Sequence, residues 1–279
     1  MNALALELTN DRSLPPAEAR ERIERFLDAL EAGEIRAAVP DESAHGGWRV
    51  ESWVKAGILA AFSHGRDAEW GGGPLPFRDR DLLRPIARVP DGVRIVPGGT
   101  AIRRGAHLAP GVVVVPPAYV NVGAFVGEGA LVDSHALVGS CAQVGRRVHL
   151  SAAAQIGGVL EPVGAMPVIL EDDVFVGGGV GIYEGVIVKR GAVLAAGVIL
   201  TGSSIVFDLV DDRILRAHPE AGIPLVIPGQ SVVVPGARPA SGSFAASHGL
   251  SIQTPVIIKR RDDRTDAKTS LEDALREPR

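Results

Sequence analysis

Gly123-Ala-Phe-Val-Gly-Glu-Gly-Ala-Leu-Val-Asp-Ser-His-Ala-Leu-Val-Gly-Ser-Cys-Ala-Gln-Val-Gly145 decides the fold, because within it a valine returns at every sixth residue: Val126, Val132, Val138 and Val144. Outward from it the same spacing takes in Val96, Ile102, Leu108, Val114 and Val120 on one side and Leu150 and Ile156 on the other. Two residues before the aliphatic position stands a small or β-branched residue, as at Thr100, Ala106, Val112, Ala118, Ala124 and Ala130. Glycine often follows it, at Gly127, Gly139, Gly145 and Gly157, where a tight turn costs least. A period of six fits neither a helix nor a hairpin meander, but it suits a short strand and turn forming one side of a coil. Three such sides close a triangular coil whose aliphatic residues point inward and stack on those of the next coil.

A second run, Leu170, Val176, Ile182, Val188, Leu194, Leu200 and Val206, lies fourteen residues beyond Ile156, which is not a multiple of six. Valines at 168, 174, 180 and 186 offer an in-step alternative. The match of Gly191-Ala-Val-Leu194 to Gly123-Ala-Phe-Val126 favours the shifted frame. A loop is therefore expected to be thrown out over Gly157–Pro167, carrying Glu161 between Leu160 and Pro162. Loops on a rigid solenoid are where function concentrates.

Composition agrees with a narrow prism. The chain of 279 residues is 46% hydrophobic but only 4% aromatic, so its interior must be filled by small, stackable side chains. A formal net charge of −4, with no basic tract, gives no field for nucleic acid or an anionic membrane. No signal segment and no run of about 18 apolar residues stands in the sequence, so a cytoplasmic protein is expected. The single cysteine, Cys141, excludes an internal disulfide and supplies no metal-ligand pair; its place among small repeat residues marks it as a packing residue rather than a nucleophile.

The flanks read differently. Pro15-Pro16 precede a helix whose apolar face is Ile23, Phe26, Leu27 and Leu30 and which ends at Gly33. A second helix is expected over Val50–Phe62, and the pair is expected to cap the open end of the solenoid, since solenoid ends need covering. Residues 64–76, with Gly71-Gly-Gly-Pro74, read as a linker. After Val206, Asp211-Asp212-Arg213 breaks the ladder. Val226-Ile-Pro-Gly229 and Val232-Val-Val-Pro-Gly236 suggest short strands ended by turns, Pro255–Lys259 another strand, and Ser270 the cap of a last helix. The expected domains are 1–76 (helices and linker), 77–210 (solenoid with extruded loop 157–167) and 211–279 (last coil, strands and helix).

The stretches Tyr119-Val-Asn-Val-Gly-Ala-Phe-Val, Val138-Gly-Ser-Cys-Ala-Gln-Val-Gly, Val148-His-Leu-Ser, Ile156-Gly-Gly-Val-Leu-Glu-Pro and Ile169-Leu-Glu-Asp-Asp closely resemble the tetrahydrodipicolinate N-succinyltransferases of lysine and diaminopimelate biosynthesis. Weaker likeness extends to Trp53-Val-Lys-Ala-Gly-Ile-Leu, Thr100-Ala-Ile-Arg-Arg-Gly-Ala and Asp266-Ala-Lys-Thr. The resemblance implies a mainly β chain folded as a left-handed parallel β-helix, an exception to the right-handed crossover rule. It also implies a homotrimer with active sites in the clefts between prisms, and succinyl-CoA as co-substrate with no bound cofactor or metal. Its catalytic and substrate positions fall on Asp133, Glu161 and Glu184, with Ser134 and His135 where many members have Thr-Trp. Where many members carry an arginine for a substrate carboxylate, this chain has Gly179. Lys259, Arg260 and Arg261 follow a strand that lies near the CoA groove in the family, and cations suit CoA phosphates.

The chemistry asks for such residues independently. An amine attacking a thioester must shed a proton, so a contacting carboxylate serves as base. The oxyanion that forms needs preorganised donors, and the Gly157-Gly158 backbone is open to close approach. Asp133 is the first choice as base, paired with Glu184, because its column otherwise holds mostly small residues. Three rivals stand beside this reading. A γ-class carbonic anhydrase would use His107, His135 and His149 around zinc, but His107 and His149 are seven hexads apart and fall on different sides of the prism. A purely structural solenoid leaves the extruded loop without purpose. An acetyl-CoA enzyme, or one acting on another amino acid, would share every motif above.

Overall fold

The computed structural model describes residues 15–71, 77–262 and 265. Its centre is a triangular prism of three parallel sheets. The first face stacks Arg94–Ile95, Val113–Val114, Leu131–Val132, His149–Leu150, Phe175–Val176 and Val193–Leu194. The second stacks Ala101–Ile102, Tyr119–Val120, Leu137–Val138, Gln155–Ile156, Gly181–Ile182 and Ile199–Leu200. The third runs from His107–Leu108 through Phe125–Val126, Gln143–Val144, Ile169–Leu170 and Ile187–Val188 to Val226–Ile227. This is the expected architecture of the left-handed hexapeptide β-helix, with helices before it and antiparallel strands after.

Register follows the period. Partners lie eighteen residues apart, three hexads, as in Leu131 opposite His149. Where the extruded loop intervenes they lie twenty-six apart, Gln143 opposite Ile169 and Gln155 opposite Gly181, so the shifted frame is the one adopted. In each strand the second residue is inward: Val126, Val132, Val138, Val144, Leu150 and Ile156 are fully buried, and the small residues before them are buried as well. Each such aliphatic side chain removed from water contributes about 1.5–3 kcal/mol.

The helices do not cap the prism. Helix α1 (Pro16–Ala32) and helix α2 (Ser52–His64) share a core with Val122, Cys141 and Leu160, which belong to the edge between the second and third faces. A hairpin of β1 (Ala38–Pro40) and β2 (Trp48–Val50) lays Ala38 and Trp48 on Ile169 and Ile187 of the third face. The helical unit thus clasps the flank, and the N-terminal end is closed by Ile86 and Val93, half-buried against the prism core. An amphipathic stripe fixes which face of a helix is buried but not its partner. The stretch read as a linker is in part paired, Asp67–Trp70 with Phe77–Arg80. Its Gly72-Gly73-Pro74, and the helix expected from Ser270, lie outside the described residues.

At the other end Ser231–Pro239 and Ser251–Arg260 form an antiparallel hairpin that adds Val233 and Ile257 to the core. Pro235-Gly236 sits inside the first of these strands rather than ending it.

Candidate active site

Every hexad turn lies on one of three edges of the prism, and the edge decides which candidates can meet. Glu184 follows Ile182 on the edge between the second and third faces. Its backbone is left-handed (φ 53°), as is that of Gly185 (φ 72°), a conformation that a residue with a side chain holds at a cost. The carboxylate is fixed in turn, its Oε2 accepting a hydrogen bond of 3.0 Å from the Gly202 amide one coil on.

The extruded loop leaves from this same edge. Gly157 donates to Ile182 O at 2.8 Å and Val159 to Ser140 O at 3.1 Å, so the loop starts as a continuation of the ladder. A Cβ on Gly158 would stand 2.6 Å from Ser140 N, and one on Gly139 only 2.2 Å from Gly158 N, so two glycines are required for the coils to stack here. Gly158 is exposed and, among the described residues, its amide makes no backbone hydrogen bond, which leaves a donor free beside the loop.

Loop and edge together enclose a cavity of about 1330 Å³ lined by Gly157, Gly158, Glu161, Tyr183, Glu184 and Arg216, among others. Two carboxylates, a phenol, a free amide and a guanidinium therefore converge, all of them groups that can handle an amine and an anion. The loop is anchored from outside. Lys55, on α2, is fully buried and donates from Nζ to Ala165 O. Burial holds its pKa below the usual lysine value. Leu160 packs on the helical core, and Met166 on the Trp48 cluster.

Asp133 is elsewhere. It follows Val132 on the edge between the first and second faces, with Ser134 and His135, and its Oδ1 accepts a hydrogen bond from Ser134 N at 2.7 Å. None of these three lines the cavity. His107 is on the third face and His149 on the first, so the histidines of the zinc reading are kept apart. Cys141 is buried, and burial pushes its thiol up to about 12, which leaves it protonated and inert.

The C-terminal cations are already engaged. Lys259 donates from Nζ to both carboxylate oxygens of Asp262, at 2.7 and 2.8 Å. Arg260 reaches Ser231 Oγ at 2.7 Å, Asp208 at 3.1 Å and Asp211 at 2.6 Å. Arg261 donates to the carbonyls of Asp173 and Gly191, on the edge between the third and first faces. Sequence reasoning missed Tyr183, Arg216 and Lys55. Only Lys55 carried a signal, standing next to Val54 and three before Ile58 on a buried helix face.

These features define a hexapeptide-repeat protein with a built cavity on one edge of its β-helix. Residues 7–63 match the family model described as tetrahydrodipicolinate N-succinyltransferase N-terminal, and residues 167–202 match the hexapeptide repeat of succinyl-transferase. Together the two matches take in about a third of the chain. It is similar to the 2,3,4,5-tetrahydropyridine-2,6-dicarboxylate N-succinyltransferase of Granulibacter bethesdensis, with 40% identity over 107 residues, 35% of this chain and 36% of that protein. The protein of the same name from Bordetella petrii is 42% identical over 99 residues, 33% and 34% of the two chains. The chain thus spans about a third of the length of the curated relatives it matches. A solved structure from Campylobacter jejuni, described as a 2,3,4,5-tetrahydropyridine-2-carboxylate N-succinyltransferase, aligns over 85% of this chain and 62% of its own at 15% identity and a TM-score of 0.47.

Proposed function

We propose that the protein is a CoA-dependent N-acyltransferase that moves the succinyl group of succinyl-CoA to the amine of ring-opened tetrahydrodipicolinate, in lysine and diaminopimelate biosynthesis. The observation that carries the reading is the cavity, where Glu161, Glu184 and the free Gly158 amide converge beside the extruded loop. The acceptor's ammonium group loses its proton to a carboxylate, the amine attacks the thioester carbon, the oxyanion forms against the Gly158 amide, and CoA leaves as the thiol. Glu184 and Glu161 hold the amine, and Asp133 is the base.

Asp133 and Glu184 occupy different edges of one prism, so they act together only across two chains. In a trimer whose second faces turn toward a common axis, the Asp133 edge of one protomer lies against the Glu184 edge of the next. The partly exposed apolar residues of that face, Tyr119, Leu137 and Ile199, suit burial there. Lys259 and Arg261 serve the CoA phosphates by exchanging their present partners, whereas Arg260 is bound into the fold. Among the described residues no helix is long and apolar enough to cross a membrane, and the proposed place of action is the cytoplasm.

Subunit mixing tests this arrangement. Asp133→Asn and Glu184→Gln homotrimers each lose about 10²- to 10⁴-fold in kcat, the range for one positioned acid or base. Randomly mixed trimers of the two variants recover about a quarter of wild-type activity, because that share of clefts pairs an intact Asp133 with an intact Glu184. Mixed trimers no more active than their parents would place both carboxylates in one chain's site and overturn the shared cleft.

A further inference from the structure

The cavity beside the extruded loop holds one cation among the described residues that line it, Arg216, and that cation has no carboxylate of its own. Its neighbours in sequence and space are spent: Arg213 pairs with Asp208 at 3.2 Å and Asp211 at 2.9 Å, and Arg260 takes the same two acids. Among the described residues Arg216 has no ion-pair or hydrogen-bond partner, while Glu161 and Glu184 face the same space.

The backbone under Arg216 is fixed. Arg213–Leu215 pairs antiparallel with Val206–Asp208, Leu215 opposite Val206, where the hexad ladder has broken. Leu215 and Ala217 pack half-buried against the prism core, and alternation sends the side chain between them to the opposite side. Beyond it, His218 and Ile223 bridge across a turn closed by Gly222 in the left-handed region, with His218 N–H donating to Ile223 O at 2.9 Å. A long cation on a pinned backbone, aimed into a cavity with two carboxylates, is a complementary pair of poles for a molecule that carries both an amine and a carboxylate.

We propose that Arg216 is a specificity-determining residue that binds a carboxylate of the amine acceptor. A planar guanidinium accepts a carboxylate through two parallel hydrogen bonds, and so fixes the acceptor's orientation as well as adding charge attraction. With the carboxylate on Arg216, the amine is directed toward Glu161 and Glu184. The inference rests on the acyl-transfer reading for the identity of the acceptor, but carboxylate binding by Arg216 can be measured without any acyl donor. Gly179 itself supplies no side chain that could compete for the role, and nothing lies within 4 Å of the point where its Cβ would stand.

The test is calorimetric binding of 2-aminopimelate, which has an amine and two carboxylates, and of its two monoamides, to the wild type, Arg216→Met and Arg216→Lys. The wild type is expected to bind at least one monoamide about 10- to 100-fold more weakly than the diacid, a discount from the largest polar discriminations because Arg216 is solvent-facing. Arg216→Met binds all three equally, Arg216→Lys recovers part of the preference, and neither changes the KM for acyl-CoA. If Arg216→Met keeps the wild-type preference, the assignment is wrong. If the preference depends on Arg216 but the wild type transfers no acyl group to any acceptor, the acyl-transfer reading falls and the carboxylate site stands.

Discussion

Asp208 shows how one side chain can secure the end of the prism. Its carboxylate is wholly buried, accepting hydrogen bonds from Arg260 and Arg213 and from the amides of Val210 and Asp211. Burial alone would raise its pKa, but the bonds from Arg260 and Val210 outweigh that and hold it below the ordinary 3.8. A depressed folded pKa means that the stabilisation is present above the unfolded value and is lost as pH falls through the folded one. Asp208→Asn is therefore expected to lower stability at neutral pH by about 2 kcal/mol, less than for a fully buried pair because Arg260 keeps Asp211 and Ser231. Denaturant titration checks this, with the difference from wild type shrinking below about pH 4. At this scale the family resemblance was the informative signal: it pointed to Glu161 and Glu184, the open Gly157-Gly158 backbone pointed to Gly158, and all three line the cavity, whereas Asp133, singled out by its column of small residues, does not. Arg216 carried no such signal, because it lies where the ladder is broken and no column exists to make it stand out. The basic triplet 259–261 was legible as charge, but its internal pairing with Asp262, Asp208 and Asp211 depends on contacts that only the folded hairpin creates.

Among the elements, α2 and the extruded loop depend on one another. The phase slip between Ile156 and Leu170 made the loop visible in advance, since a register set by stacked aliphatic residues tolerates no other way to absorb the extra length. What holds the loop was hidden. A fully buried lysine is rare, and Lys55 meets the carbonyl of Ala165, so the helical unit grips the segment that bears Glu161. Lys55→Met removes the donor and leaves that carbonyl unpaired. Amide exchange over 157–167 is expected to rise about tenfold, while the hexad strands keep their protection. Unchanged exchange in the loop would show that Leu160 and Met166 anchor it without Lys55. The expected end cap failed for a related reason: the helices bury the stripe that was read, Ile23, Phe26, Leu27 and Leu30, but against Val122 and Cys141 on the flank.

For the whole molecule, the fold was legible almost throughout because one spacing recurs over about a hundred residues, and each coil repeats the physics of the last. The site was legible only in part, since a period places residues on edges but does not say which edges meet. One prism keeps Asp133 and Glu184 apart, and it is the assembly that would join them. The central claim remains the chemistry, and thiol release from succinyl-CoA with tetrahydrodipicolinate as acceptor tests it most directly. Acceptor-dependent release of CoA at a rate far above that with acetyl-CoA is expected, with loss of that release in Asp133→Asn. Release that favours acetyl-CoA, or that does not require tetrahydrodipicolinate, would contradict the claim.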